Sequence, residues 1–200
     1  MKVTSTAIPR VSRMNAANVV TLVRIALVPV LAWALLAAGW DPVTSWSWRW
    51  LACGIFVLAA STDKVDGYLA RSRGLITDLG VLLDPIADKA LIGVAVVLLW
   101  LPLAELPWWV PTIILVRELS ITVMRLILKR FIVLPAGRGG KAKTVSQTLA
   151  VGAFLLPIAL WGSWATVIAW VLMAIALVLT VASGLDYAVK GFRLFAQHSA

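Results

Sequence analysis

The sequence predicts an all-α, polytopic membrane protein with six transmembrane helices and both termini on the cytoplasmic side. Three observations predict it. Of the 200 residues, 62% are hydrophobic and only 14% are charged, whereas a soluble domain is about half apolar and about a quarter charged. The apolar residues gather into six runs near the roughly 20 residues that a helix needs to cross a hydrocarbon layer. The basic residues between those runs fall almost entirely on one side, as cytoplasmic loops require.

The runs follow in order. Residues 1–17 form a cytoplasmic arm, residues 18–190 a single membrane domain and residues 191–200 a cytoplasmic tail. The first run, Val19–Ala38, follows Lys2, Arg10 and Arg13. It reads as a retained span because its apolar core is longer than that of a cleaved signal peptide and Trp40-Asp41-Pro42 follows it. The second and third, Trp48–Ala70 and Leu79–Leu101, are joined by the short link Ser72–Thr77, which makes them antiparallel neighbours. The fourth, Trp108–Leu128, carries Arg117, Glu118 and Arg125. The fifth, Val145–Trp161, is short and is parted from the sixth, Ala165–Ala188, at Gly162-Ser163. Strands are excluded because the runs are too long and do not alternate.

Orientation rests on two independent counts. One side of the predicted topology carries 12 basic residues in its arm, loops and tail, and the other carries Arg49 alone, beside Asp41 and Glu105. Of the 11 tryptophans, 9 fall near the outer turns, which fits an interfacial aromatic belt. The formal charge of +9 then belongs to anionic head groups and to topology rather than to nucleic acid, because the bases lie between long apolar runs. Cys53 is the sole cysteine, which excludes an internal disulfide and a thiolate metal site. It reads as a packing residue, and His198 as part of the polar tail.

The second and third runs contain residues that do not belong in lipid: Asp63, Asp66, Asp84 and Asp88. An acid at mid-membrane costs roughly 2.5–3.5 kcal/mol on the insertion scale, so something must offset it. Asp63 and Asp66 are three apart and Asp84 and Asp88 four apart, so each pair shares a helical face. Antiparallel packing lets all four meet near the cytoplasmic ends. Three readings account for them: a divalent metal site, since hard cations prefer carboxylate oxygen; ion pairs with Lys64, Arg71 and Lys89; or a cation or proton pathway. The small residues Gly67, Ala70 and Gly80 serve either close helix packing or the approach of phosphates to the backbone.

The residues Asp63, Asp66, Gly67, Ala70, Arg71, Gly80, Asp84 and Asp88, eight fixed positions within 26, match the pattern D-x2-D-G-x2-A-R-x8-G-x3-D-x3-D. The chain thereby resembles the CDP-alcohol phosphotransferases. Further stretches resemble one branch of that family, the phosphatidylglycerophosphate synthases: Asn18-Val-Val-Thr21 with Arg24 and Pro29, Arg117-Glu118 with Arg125, and Gly140-Lys141-Ala-Lys143-Thr144 with Gln147. The last two runs are too generic to add weight.

The resemblance implies specific roles. Asp63, Asp66 and Asp84 are expected as metal ligands, and Asp88 as general base and ligand of a second ion. Asn18, Thr21, Asp63, Asp66, Gly67, Arg71 and Thr77 are expected around the CDP moiety of CDP-diacylglycerol. Two Mg²⁺ or Mn²⁺ ions, a homodimer and a plasma-membrane site open to the cytoplasm are also implied. The expected acceptor is glycerol 3-phosphate, a dianion that needs a cationic seat. Arg117 and Arg125, with Lys141 and Lys143 after a Gly-Gly turn that exposes backbone N–H groups, offer one. Inositol phosphate, or phosphatidylglycerol as in cardiolipin synthesis, are the alternatives within the family. A cation or proton transporter is the alternative outside it. Lys143-Thr144 ends like a nucleotide P-loop, but Ala142 stands where that motif requires glycine and no strand precedes it.

Overall fold

The computed structural model describes the backbone of residues 16–40, 45–72, 78–128 and 138–198, and the side chains of residues 18–40, 45–62, 83–124 and 142–191. These residues form six α-helices and one 3₁₀ turn, with no strand among them. The helices are α1 (Ala16–Trp40), α2 (Ser45–Ser72), α3 (Asp78–Trp100), α4 (Trp109–Leu128), α5 (Arg138–Leu155) and α6 (Ser163–His198). All six runs that the sequence marks as helical are helical, with shifted ends.

The largest shift is in the fifth. The sequence places Gly139-Gly140 in a turn before Lys141, but α5 already begins at Arg138. The two glycines occupy its first turn, where backbone N–H groups have no intrahelical acceptor in any case. At the far end α5 stops at Leu155 rather than running to Trp161. Pro157 has no N–H and pushes the residue before it out of the helical region. A 3₁₀ turn, Ile158–Trp161, follows. Gly162 then adopts φ 84°, a left-handed value that suits glycine, and α6 starts at Ser163.

Packing joins the helices in an order that the sequence does not show. α1 lies along both α2 and α3, and each of these packs more extensively on α1 than on the other. α5 pairs with α6, α4 also leans on α6, and α2 and α3 both reach α5. The core runs through every helix, with Leu31, Leu35, Phe56, Leu99, Ile114, Phe154 and Met173 all buried. Outside, the bundle is apolar: Val178 is 67% exposed, Leu160 64% and Leu119 63%. Exposed apolar surface on this scale needs a partner other than water. Among the described residues, two stretches, Asn18–Trp40 and Ser163–Gly191, are long and apolar enough to cross a membrane by length and composition. The end of the bundle distant from the acids gathers Trp33 against Trp48 at 4.7 Å and Trp50 near Trp161 at 5.9 Å.

At that same end Arg49 of α2 forms an ion pair with Glu105, in the turn between α3 and α4. Burial pushes the Glu105 carboxyl up, and the charge and hydrogen bond of Arg49 pull it back. Removing one partner of a buried pair leaves the other charge uncompensated, at roughly 3–5 kcal/mol. Arg49→Met is therefore expected to lower the melting temperature of the detergent-solubilised protein. With burial alone acting on Glu105, its folded-state pKa stands further above its unfolded value. The ionised form then destabilises the fold at high pH, and the deficit should shrink as pH falls through the carboxylate range. A deficit that is constant with pH would remove Glu105 as its source.

Candidate active site

The site is built outward from α1. Asn18, Thr21 and Arg24 are spaced three apart, so they line one face of that helix, and all three are buried. The Thr21 hydroxyl donates to Asp84 Oδ1 on α3 at 2.8 Å. The Arg24 Nε donates to the Thr62 hydroxyl on α2 at 3.4 Å, and that hydroxyl donates to the Ala59 carbonyl at 2.7 Å. Thr62 immediately precedes Asp63. One polar face of α1 thus holds the acid-bearing turns of both neighbouring helices.

On α3, Asp84 and Asp88 stand one turn apart, and Pro85 between them gives no N–H to the helix ladder. Asp88 borders two cavities. One, of about 280 Å³, lies between α3, α4 and α5, and its polar lining is Asp88, Lys89, Glu118, Lys143, Thr144 and Gln147. The other, of about 460 Å³, lies between α2, α3 and α5 and is lined mainly by apolar residues from Phe56 and Leu91 to Leu149 and Leu156. Asp88, Ile92 and Thr144 are common to both. Asp88 therefore stands at the partition between two largely apolar cavities, the smaller of which is also bordered by Lys89 and Lys143.

The cations of the first chamber are tied down. Glu118 Oε1 accepts from Arg117 Nη1 at 2.8 Å and forms an ion pair with Lys143 through the same oxygen. Lys89 donates to the Thr122 hydroxyl, which donates to the Glu118 carbonyl at 2.7 Å. Arg117 Nη2 reaches instead to Ser183 on α6 at 2.9 Å. Gly184 makes room for this, since a Cβ there would stand 3.2 Å from Arg117 Cγ.

The structure thus brings together Thr21 with Asp84, and Asp88 with Lys143. Arg117 does not line the chamber that holds Asp88. It lines a groove between α4 and α6 and reaches Lys143 only through Glu118. Thr77 and the arm through Asn15 lie outside the described residues. So do the side chains of Asp63, Asp66, Arg71, Arg125 and Lys141 and the surroundings of Gly67, although these six residues stand within helices. Two residues that the sequence named without a role as site residues also line the chamber: Lys89, considered there as an ion-pair partner of the acids, and Gln147, a position of the branch resemblance. Arg24 gains a hydrogen-bond partner in the same way. Their signal is polarity inside an apolar helix, which marks a residue as worth placing without saying which way it points.

The donor set suits a hard divalent cation. The two α3 carboxylates share a face, and a hydroxyl bond fixes one oxygen of Asp84, the kind of outer contact that orients metal-ligating carboxylates. Mg²⁺ and Mn²⁺ prefer such oxygens.

A family model for CDP-alcohol phosphatidyltransferases matches residues 14–182, and the chain belongs to that family. Among its relatives, a probable phosphatidylglycerophosphate synthase of Mycobacterium tuberculosis is 45% identical over 179 residues, covering 90% of this chain and 82% of that one. A CDP-diacylglycerol–glycerol-3-phosphate 3-phosphatidyltransferase of Bacillus subtilis is 35% identical over 196 residues, covering 89% and 95%. One from Rickettsia felis with the same name is 33% identical over 177 residues, covering 86% and 93%.

Glu118 is the carboxylate shared by two largely buried cations, Arg117 and Lys143. Glu118→Gln should destabilise the fold by roughly 3 kcal/mol, because Arg117 and Lys143 are left facing each other. Adding Lys143→Met should recover part of that loss, and additive losses in a double-mutant cycle would show the two side chains to be uncoupled.

Proposed function

We propose that this protein transfers the phosphatidyl group of CDP-diacylglycerol to glycerol 3-phosphate, releasing CMP and giving phosphatidylglycerophosphate. The observation that carries the reading is the position of Asp88 between the two cavities. The apolar cavity suits the lipid end of the donor, and the chamber with Lys89 and Lys143 suits a small anionic alcohol. The names of the Bacillus subtilis and Rickettsia felis relatives print the same pair of substrates. Six spans, cytoplasmic termini and a homodimer belong to the proposal. Its support is the apolar outer surface, the one-sided basic loops and the family.

Chemistry follows from the placement. Asp88 accepts the proton of the acceptor hydroxyl, whose oxygen forms a bond to the phosphorus of the phosphatidyl group. The bond from that phosphorus to the CMP oxygen breaks, and CMP leaves with the electron pair. Asp63, Asp66, Asp84 and Asp88 would hold divalent metal. When bound, it supplies positive charge to the diphosphate oxygens and the leaving group. Asn18, Thr21, Gly67, Arg71 and Thr77 surround the CDP moiety in this reading, with Arg71 giving bidentate phosphate contacts. Lys143 seats the acceptor phosphate, with Lys141 and Arg125 at the same cytoplasmic end. Arg117 supports Lys143 through their shared carboxylate.

The purified protein with Mg²⁺ and CDP-diacylglycerol should release CMP on addition of glycerol 3-phosphate. Asp88→Asn should reduce turnover at least about a hundredfold while the protein still folds. Release with inositol phosphate and none with glycerol 3-phosphate would reassign the acceptor, and full turnover in Asp88→Asn would remove the base.

Thr21→Val deletes the hydroxyl that donates to Asp84. Outer-contact losses of this kind weaken metal binding roughly 10–100-fold. Mn²⁺ affinity, read by electron paramagnetic resonance without substrate, should fall by about tenfold or more. Unchanged affinity would separate Asp84 from the metal.

A further inference from the structure

We infer that one acyl chain of the donor lies along the seam between α2 and α5, and that Gly152 sets how long a chain the seam takes. The inference rests on the donor assignment proposed above.

The larger cavity is elongated. On α5 its lining runs through Thr144, Thr148, Gly152 and Leu156, spaced by four and therefore stacked on one helical face. From Thr144 to Leu156 the helical rise covers about 18 Å. Opposite them α2 contributes Ser61, Val57 and Cys53. Half of a typical hydrocarbon layer is about 15 Å thick, so the seam matches the length of a chain from one leaflet.

Its polarity is graded in the sense a lipid requires. Asp88, Ser61 and Thr144 border one end, and Phe56, Leu149 and Leu156 continue toward the other. A chain that follows this wall begins beside the carboxylate assigned to the reaction. Val57 and Leu149 are both exposed on the outside of the bundle, so the seam opens sideways, where a donor can enter from the bilayer. The far end is closed. Trp50 stands three residues before Cys53 on α2, and its ring lies 5.9 Å from that of Trp161 in the 3₁₀ turn after α5. The two rings meet beyond the last residues that line the seam.

Between these ends the two helices come together at Gly152. Cys53 Sγ lies 4.0 Å from the Gly152 carbonyl oxygen. A Cβ added at Gly152 would meet Phe56 Cε1 at 3.7 Å, an ordinary contact. A methyl therefore fits, whereas a longer side chain extends across the seam. Gly152 lies about 12 Å past Thr144 along α5, so a short chain ends before reaching it and a long one must pass it.

The test compares dipalmitoyl with dioctanoyl CDP-diacylglycerol in mixed detergent micelles, with glycerol 3-phosphate as acceptor and CMP release as readout. Gly152→Leu should lower the ratio of kcat/KM for the long donor over the short one by roughly tenfold or more, because a chain forced from the seam draws the reacting phosphorus out of place. Gly152→Ala should leave that ratio near the wild-type value. Equal losses on both donors in Gly152→Leu would overturn the inference. Where the leucine variant does not fold, wild-type protein decides through a donor that carries a diazirine at its chain end: photoadducts on Cys53, Leu156 or their neighbours in the seam support the inference, and adducts confined to other faces overturn it. Absence of CMP release by the wild-type protein from both donors would instead overturn the phosphatidyl transfer proposed above.

Discussion

Charge inside an apolar bundle must be held by something other than water, and this constraint organises the whole chain. The first helix meets it for the acids. Its polar face runs through Asn18, Thr21 and Arg24, and two of these residues bond to the acid-bearing turns of α2 and α3. Further along, α1 is anchored in the core by Leu31 and Leu35. Position of the acids therefore depends on a helix that carries none of them. Consistent with this, α1 packs extensively on both partners, while α2 and α3 touch each other less.

The same constraint divides the molecule into two ends. At the end with the tryptophans, the Arg49–Glu105 pair closes a turn, and the two charges face each other. At the other end, polar groups face cavities instead of only one another. A buried pair within the protein is a structural element, because its charges offset each other. A cluster that borders a chamber keeps capacity for a ligand. Asp88, which borders both cavities, belongs to the second kind, and the proposed chemistry is placed at that end.

Much of this is legible in the sequence because the informative residues are out of place there. Four aspartates in apolar runs mark themselves, and their spacing by three and four is enough to assign their helical faces. All six helices are legible for the same reason, from length and hydropathy. What the sequence leaves open is rotation. Periodicity places Arg117 and Lys143 on helices but does not say which neighbour each faces. Arg117 turns toward Ser183 on α6 because Gly184 leaves room there, a relation across 66 positions that no local pattern encodes. The start of α5 fails differently. Two glycines read as a turn by propensity, and tertiary packing of the helix that follows overrides that preference.

The shared carboxylate of Glu118 has a consequence for how an anionic acceptor is held. Two unpaired cations would bind a dianion tightly both before and after reaction, and uniform binding of that kind lowers KM without raising kcat. Glu118 already takes part of the charge of Lys143 and shares the same oxygen with Arg117, whose other end turns to Ser183. In the proposed reading the acceptor phosphate then meets a cation whose field is moderated and whose position is fixed. On that reading orientation is retained while excess ground-state attraction is reduced, so the reacting hydroxyl would be delivered to Asp88 by placement rather than by strength of binding. An acid beside the proposed phosphate seat looks misplaced on charge alone, yet it would let the seat position its ligand and still release it.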